Sequence, residues 1–310
     1  MKPSRICSPG QEGFLGYFYE APRSAGKCII TLAGDDGNDF LSQAFARWFT
    51  RYQNMSVLSL ALRQDPTQDP GIHLWNLNTV AEAVSWLKAQ DCHKIGICGI
   101  SMQAVIALSA AARIPEISLT IAFSPCDYVS WGFQHGTVDG HKNAEYPTEK
   151  SLLVFKGQPL PFQEAHMEKS QYVRRFYGDC RQFRELHSRG IFDHSEKSCR
   201  IPREAFIPAE NIRGPLVLIG AEDDSMWNTT RYIYRMRKRL QEKEFIFPVK
   251  SFTYARGTHL LLPQRMVMDA IPLAGSLIPL LFSSGRHHVK ACRDSRIHLD
   301  RQLSCYLAAW

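Results

Sequence analysis

A serine lies at the junction between an apolar run and a stretch of strong helix formers. Residues 94–98 read Lys-Ile-Gly-Ile-Cys, which predicts a short interior strand of a parallel sheet. Residues 102–113 are rich in alanine and contain no proline, which predicts a helix. The connecting Gly99-Ile100-Ser101 matches a sharp strand-to-helix corner that exposes a serine hydroxyl. We therefore predict that Ser101 is a nucleophile rather than an ordinary buried serine.

A serine nucleophile needs a base, and the base needs an acid that orients it. Residues 215–220 predict an apolar strand that is followed directly by acidic residues, at the edge where α/β proteins build their sites. Residues 251–254 predict a further short strand, and the loop after it contains His259. The order serine, acid, histidine is one of the known orders of serine triads. We predict that His259 is the base.

Two neighbouring aspartates compete for the role of the acid. Asp224 is preferred, because Asp-x-x-Trp places its carboxylate in the turn and Trp227 at the start of the next helix. Asp223 or Glu222 is suited to a second task, a negative charge at that helix N-terminus. Because all three follow the same strand, Asp223 stays open as the alternative triad acid.

Hydrolysis at a carbonyl also needs two backbone N–H groups that stabilise the developing oxyanion. The residue after the nucleophile, Met102, supplies one of them. The other is expected from the turn Gly34-Asp35-Asp36-Gly37, which ends a predicted strand over 27–33. Within this turn we predict Asp35 as the donor, although a plain Asp/Gly turn is the alternative.

Predicted strands and helices alternate through most of the 310 residues, which indicates a mostly parallel sheet with helices on both faces. The length fits one domain over 1–310. The alternation is lost over 128–208, and we expect a lid-like insertion there, with extended segments at 151–155 and 159–162. The apolar stretch 270–282 is too short to span a bilayer and is expected to be a packed helix near the C-terminus.

The amino-acid composition and the cysteine count predict the general class of protein. Hydrophobic residues at 45% and charged residues at 22% are ordinary for a soluble protein, and no signal peptide is recognisable. The nine scattered cysteines fit reduced thiols in a cytoplasm better than a disulfide framework. No metal or cofactor is expected, since histidines and cysteines have no zinc-ligand spacing and the pair His287-His288 would diverge on a helix.

The net charge of +7 is modest for this length, and no nucleic-acid-binding motif accompanies it. Basic residues gather over 231–239, where Ile233, Met236 and Leu240 form an apolar stripe. Arg231, Arg235 and Lys238 are expected on the opposite, solvated face. The alternative is that some of these cations meet the phosphates of an anionic carrier.

Four stretches resemble one enzyme family. They are residues 94–102, 117–125, 214–227 and 254–260. The chain resembles the C-terminal catalytic domain of acyl-CoA thioester hydrolases and bile acid-CoA:amino acid N-acyltransferases, in the dienelactone-hydrolase-like branch of the α/β-hydrolases. Because it lacks the extra N-terminal β-sandwich domain of animal members, it is similar to the bacterial stand-alone type. The resemblance implies an α/β-hydrolase fold with Ser101 as nucleophile, Asp224 as acid and His259 as base.

The sequence departs from the family pattern at two points. Gln103 stands where a small residue normally follows the nucleophile, and the turn over 34–37 places two acids beside the expected anion. The predicted function is a serine hydrolase of esters or acyl thioesters, with a small-molecule and possibly CoA-linked substrate. Its alternatives are acyl transfer to an amine or alcohol, and a hydrolase-fold binding protein that has lost activity.

Overall fold

Strands and helices alternate along the chain, as the sequence predicts. The computed structural model describes residues 1–64, 71–270 and 278–310. Within these ranges the strands are β1 (Arg5–Cys7), β2 (Gly16–Tyr19), β3 (Lys27–Leu32), β4 (Ser56–Leu60), β5 (Trp75–Asn76), β6 (Lys94–Ile100), β7 (Ile117–Phe123), β8 (Trp131–Val138), β9 (His141–Ser151), β10 (Leu153–Phe155), β11 (Gln158–Pro159), β12 (Leu216–Ala221) and β13 (Val249–Tyr254). The helices are α1 (Pro9–Glu12), α2 (Phe40–Gln53), α3 (Asn78–Lys88), α4 (Met102–Ala111), α5 (Lys169–Phe183), α6 (Arg189–Ser198), α7 (Thr229–Glu242), α8 (Gln264–Ala270), α9 (Ser283–His287) and α10 (Val289–Ala309).

The main sheet places the candidate site at the carboxyl ends of its central strands. In the described ranges its eight strands lie in the order β1-β2-β4-β3-β6-β7-β12-β13. All neighbours from β4 to β13 are parallel, whereas β1 and β2 are antiparallel additions. The chain runs outward from β3 to β4 and then returns to the other side of β3 with β6. Ligands of open α/β sheets bind at such a change of direction, beyond the strand carboxyl ends, and Ser101 follows β6 there.

Helices cover both faces of the sheet, which confirms the predicted fold class. On one face α2, α8 and α10 contribute Phe45, Met266 and Leu299 to a buried apolar cluster. On the other face α3, α4 and α7 pack in a second cluster. Helix α4 is buried along residues 104–111, as expected for a helix that is apolar on all sides.

The segment between β7 and β12 does contain its own elements. Strands β8 and β9 form an antiparallel hairpin, and α5 and α6 follow it. The sequence prediction of extended structure near 151–155 and 159–162 corresponds in part to β10 and β11, but it missed the hairpin. Apolar side chains of this insertion, among them Trp131 and Phe192, belong to the same buried cluster as β6 and α4.

One prediction about the cysteines is wrong. Cys28 in β3 and Cys92 after α3 form a disulfide, with Cα atoms 5.8 Å apart. That separation lies within the usual range for such a bond. The other cysteines, all within the described ranges, are free. The 64-residue separation of the pair has no spacing signature, so the sequence alone gave no reason to pair them.

The expected helix over 270–282 lies largely outside the described residues, since 271–277 are not among them. Its described end, Ile278–Leu281, is a short 3-10 helix, and the terminal helix is instead α10. In the described part of the chain, no helix has the length and apolar character needed to cross a membrane.

Two arginines of helix α7 do not point into solvent as predicted. The apolar stripe of this helix is buried as expected. Arg231 and Arg235, however, turn toward the insertion, where Arg231 pairs with Asp193 at 2.8 Å and Arg235 with Asp127 at 2.5 Å. Burial raises the pKa of the Asp127 carboxyl, and the paired Arg235 opposes that rise. Because their charges are already paired, Arg231 and Arg235 do not support a phosphate site.

Candidate active site

Ser101 lies at a strained corner between β6 and α4. Its φ of 60° and ψ of −127° are outside the regions that non-glycine residues ordinarily occupy. Such a conformation costs about 1–3 kcal/mol and persists only where the surroundings impose it. Here the Ser101 N–H donates to the Phe123 carbonyl at the end of β7, at 2.9 Å. The strand-to-helix corner predicted from the sequence is therefore present.

Gly99 explains how the corner tolerates a glutamine two residues beyond the serine. A Cβ atom on Gly99 would lie 2.2 Å from the Gln103 carbonyl oxygen, so the close approach of strand and helix occurs at Gly99. The Gln103 side chain itself is only half-buried. Its length is therefore accommodated, and the first departure from the family pattern does not distort the corner.

Gly99→Ala is expected to lower the free energy of unfolding by about 1–3 kcal/mol, because the added methyl group collides with backbone. Urea denaturation measures the change. Gly178→Ala is the matched control, since Gly178 lies in α5 with nothing within 4 Å of its added Cβ. The control is expected to gain up to about 1 kcal/mol. A Gly99→Ala protein as stable as the wild type would contradict the packing argument.

His259 lies in the loop after β13 and faces the serine. Its Nε2 is 2.8 Å from Ser101 Oγ. Its Nδ1 is 3.0 and 2.9 Å from the two carboxylate oxygens of Asp224. An ionised carboxylate only accepts hydrogen bonds, so Nδ1 carries the proton and Nε2 accepts from the serine hydroxyl. The structure thus brings Ser101, His259 and Asp224 into one hydrogen-bonded line.

Asp224 is buried in the turn between β12 and α7, at 1% exposure. Its Oδ1 accepts the N–H groups of Met226 at 2.9 Å and Trp227 at 3.4 Å. An aspartate that bonds the backbone two and three residues ahead stabilises a tight turn, which explains the local shape. Its Oδ2 accepts the Thr229 hydroxyl. The surrounding donors compensate the burial of this charge.

Asp223 has a different task. Its Oδ1 accepts the backbone N–H of Gly257 at 3.0 Å and of Thr258 at 2.9 Å. It therefore holds the loop that carries His259 rather than the imidazole itself. It does not cap α7 either, because Asn228 is the N-cap and accepts the Arg231 N–H. This geometry separates the two aspartates that the sequence left as alternatives.

The two predicted oxyanion donors differ in their availability. Met102 is the first residue of α4, so its N–H has no carbonyl four residues back within the helix. The Asp35 N–H, in contrast, donates to Asp39 Oδ2 at 2.9 Å. The Asp39 carboxylate is the N-cap of α2. The Asp35 N–H is therefore engaged by the second oxygen of the carboxylate that caps α2, and its role as oxyanion donor stays a prediction.

Nearby thiols do not compete with the serine. Cys98 lies in β6, three residues before Ser101, and Cys126 follows β7; both are buried. Burial raises the pKa of each thiol well above its usual range. Since the thiolate is the nucleophilic form, neither cysteine is activated. Among the residues that the structure describes, no group of three His, Cys, Asp or Glu side chains is arranged to hold a metal ion.

Sequence reasoning missed the residues that support the line. Ser124 donates its hydroxyl to the His259 carbonyl at 2.6 Å, and the Trp227 indole donates to the Ser124 carbonyl at 3.1 Å. The Trp227 and His259 rings pack edge to face, with their centroids 5.3 Å apart. Only Trp227 had a signal, its spacing from Asp224. Ser124 follows β7 and Thr229 begins α7, and no sequence motif links either residue to His259 or Asp224.

Comparison with known proteins identifies a family. The family model described as BAAT / acyl-CoA thioester hydrolase C terminal matches residues 76–266, which include Ser101, Asp224 and His259. No curated protein shows significant sequence similarity to the chain.

Two solved structures are similar to this chain over most of their length. Carboxyl esterase 2 from the mycorrhizal fungus Tuber melanosporum is 12% identical, with a TM-score of 0.55 over 98% of this chain and 85% of that one. A Pyrococcus furiosus esterase is 14% identical, with a TM-score of 0.48 over 90% of this chain and 96% of that one. The fold is that of the α/β-hydrolases.

Proposed function

Because the chain belongs to the BAAT / acyl-CoA thioester hydrolase C-terminal family and is a hydrolase, we propose that it cleaves acyl esters or thioesters through Ser101, His259 and Asp224. The observation that carries this proposal is the continuous hydrogen-bonded line from Ser101 Oγ through the imidazole to Asp224. A formed line of this kind also argues against a binding protein that has lost its chemistry.

The first half of the reaction forms an acyl-enzyme. Ser101 Oγ attacks the carbonyl carbon while His259 Nε2 takes the hydroxyl proton. The bond from carbon to the leaving oxygen or sulfur then breaks, and the imidazolium returns that proton to the leaving group. Asp224 stabilises the imidazolium and keeps the proton of Nδ1 in place.

The second half releases the acid. Water takes the position of the leaving group, and its oxygen bonds to the acyl carbon while His259 removes one of its protons. The bond from that carbon to Ser101 Oγ then breaks as the imidazolium gives the proton to the serine. In both halves the Met102 N–H at the start of α4 stabilises the oxyanion, assisted by the positive end of the helix dipole.

The insertion between β7 and β12 supplies the basis for a proposal about the acyl group. Trp131 stacks on Phe192 at 5.0 Å, and Phe192 contacts Trp227, which in turn contacts His259. The insertion is therefore packed against Trp227, which lies in the turn after β12 and contacts the imidazole. On the apolar composition of this insertion we propose a medium or large apolar acyl group in preference to acetate. We assign the insertion the role of a lid.

A panel of p-nitrophenyl esters and acyl-CoAs of graded chain length tests the proposal. We expect hydrolysis of both classes, with higher kcat/KM for medium or long chains than for acetyl. Loss of all turnover across the panel would contradict the proposed function, and a preference for acetyl would contradict the acyl-group assignment. Product analysis with added amino acids separates acyl transfer, since a transferase yields the amide in place of the free acid.

A further inference from the structure

Thr229 occupies a position that directs its side chain at the catalytic acid. It is the first residue of α7 and is fully buried. A Cβ atom on Gly220 of β12 would lie 2.2 Å from the Thr229 methyl carbon, so that methyl group sits directly on the strand. The two γ-substituents of a β-branched residue move together. With the methyl group held against Gly220, the hydroxyl is held toward Asp224.

The hydroxyl donates to Asp224 Oδ2. In the described part of the chain, this oxygen accepts no backbone N–H, unlike Oδ1. Oδ1 is held by the N–H groups of Met226 and Trp227. The plane of the carboxylate is thus fixed from both sides, by backbone on one oxygen and by Thr229 on the other. Rotation of that plane would move Oδ2 away from His259 Nδ1, which lies 2.9 Å from it.

We infer that Thr229 is a positioning residue that aligns Asp224 with His259 for proton transfer. The inference rests on the proposed function for its kinetic consequence. Thr229 is fully buried and its hydroxyl donates to Asp224, so its contribution acts through Asp224. Its loss should reduce the rate of the chemical step and leave substrate binding unchanged.

The test compares two replacements with opposite effects on shape and on hydrogen bonding. Thr229→Val keeps the shape and removes the donor, whereas Thr229→Ser keeps the donor and removes the methyl group. We expect Thr229→Val to lower kcat on a p-nitrophenyl ester about ten- to hundredfold with KM unchanged, which is the range for a hydrogen bond to a charged group. We expect Thr229→Ser to stay within a few fold of the wild type.

Thr230→Val is the matched control. Thr230 belongs to the same helical turn, but its hydroxyl bonds Asn228 and not Asp224. It is expected to keep the wild-type kcat. A purely structural role for Thr229 predicts the reverse order, with the cavity-forming serine variant at least as impaired as the valine variant. That result, or a valine variant within twofold of the wild type, overturns the inference.

Two further measurements keep the outcome decisive. If Thr229→Val does not fold, as judged by its thermal unfolding, the pair Thr229→Ser and Thr229→Ala isolates the hydroxyl, and equal kcat values for that pair would overturn the inference. The low-field proton NMR signal of His259 Nδ1 reports the alignment without any turnover. Its chemical shift should change in Thr229→Val and stay the same in Thr229→Ser. A chemical shift that is the same in all variants contradicts the inference, whether or not the wild type hydrolyses an ester. A wild type that hydrolyses no ester would instead refute the proposed function.

Discussion

Ser101→Ala is expected to lower kcat for ester hydrolysis by about 10⁶-fold, the loss seen when the serine nucleophile of a triad is removed. The reason is specific to the geometry. His259 Nε2 lies 2.8 Å from Ser101 Oγ. Without that oxygen, the site has no hydroxyl that the imidazole can deprotonate and no nucleophile to attack the ester. Steady-state hydrolysis of a p-nitrophenyl ester by wild type and variant measures the loss.

Ser109→Ala is the matched control for this experiment. Ser109 is a buried serine inside α4, about two turns beyond Ser101, and its hydroxyl has no hydrogen-bond partner in the described structure. The control should keep the wild-type kcat. A Ser101→Ala variant that retains more than a tenth of the wild-type kcat would show that turnover comes from a different group.

Asp224→Asn is expected to lower kcat by about 10⁴-fold, the loss seen when the acid of a serine triad becomes an amide. The amide would offer an N–H to His259 Nδ1 and favour the tautomer that protonates Nε2, the atom required to accept the serine proton. Measurement of kcat together with thermal unfolding separates this chemical effect from misfolding.

Asp223→Asn provides the comparison that distinguishes the two neighbouring acids. The asparagine keeps a carbonyl oxygen that accepts from the N–H groups of Gly257 and Thr258, as Asp223 Oδ1 does. Its kcat should therefore fall only a few fold. If Asp223→Asn is the more severe of the two variants, the assignment of Asp224 as the acid is wrong.

The fold, and the closeness of Ser101 to the acidic turn after β12, could be predicted from the sequence for identifiable reasons. Interior parallel strands are continuous apolar runs, so β6 and β12 stand out, and the residues that follow them must lie at one edge. This places Ser101 and the acidic turn near each other without any coordinates. It does not separate Asp223 from Asp224, because adjacent residues after one strand differ only in the direction of their side chains.

The remaining features depend on contacts between distant segments. The Asp35 N–H is occupied because Asp39 both caps α2 and accepts from the turn, a double role that residue type alone does not indicate. Thr229 is fixed by its methyl contact with Gly220, which requires the helix and the strand to be packed together. The disulfide between Cys28 and Cys92 likewise joins positions far apart in sequence.

Reaction with a fluorophosphonate probe tests the central claim most directly, because the probe bonds only to a serine that its base has activated. Mass spectrometry of the digested wild-type protein should place the adduct on the peptide containing Ser101. His259→Ala should form the adduct far more slowly, and Ser101→Ala should form none. An adduct on another residue, or equal labelling of wild type and Ser101→Ala, would contradict the account.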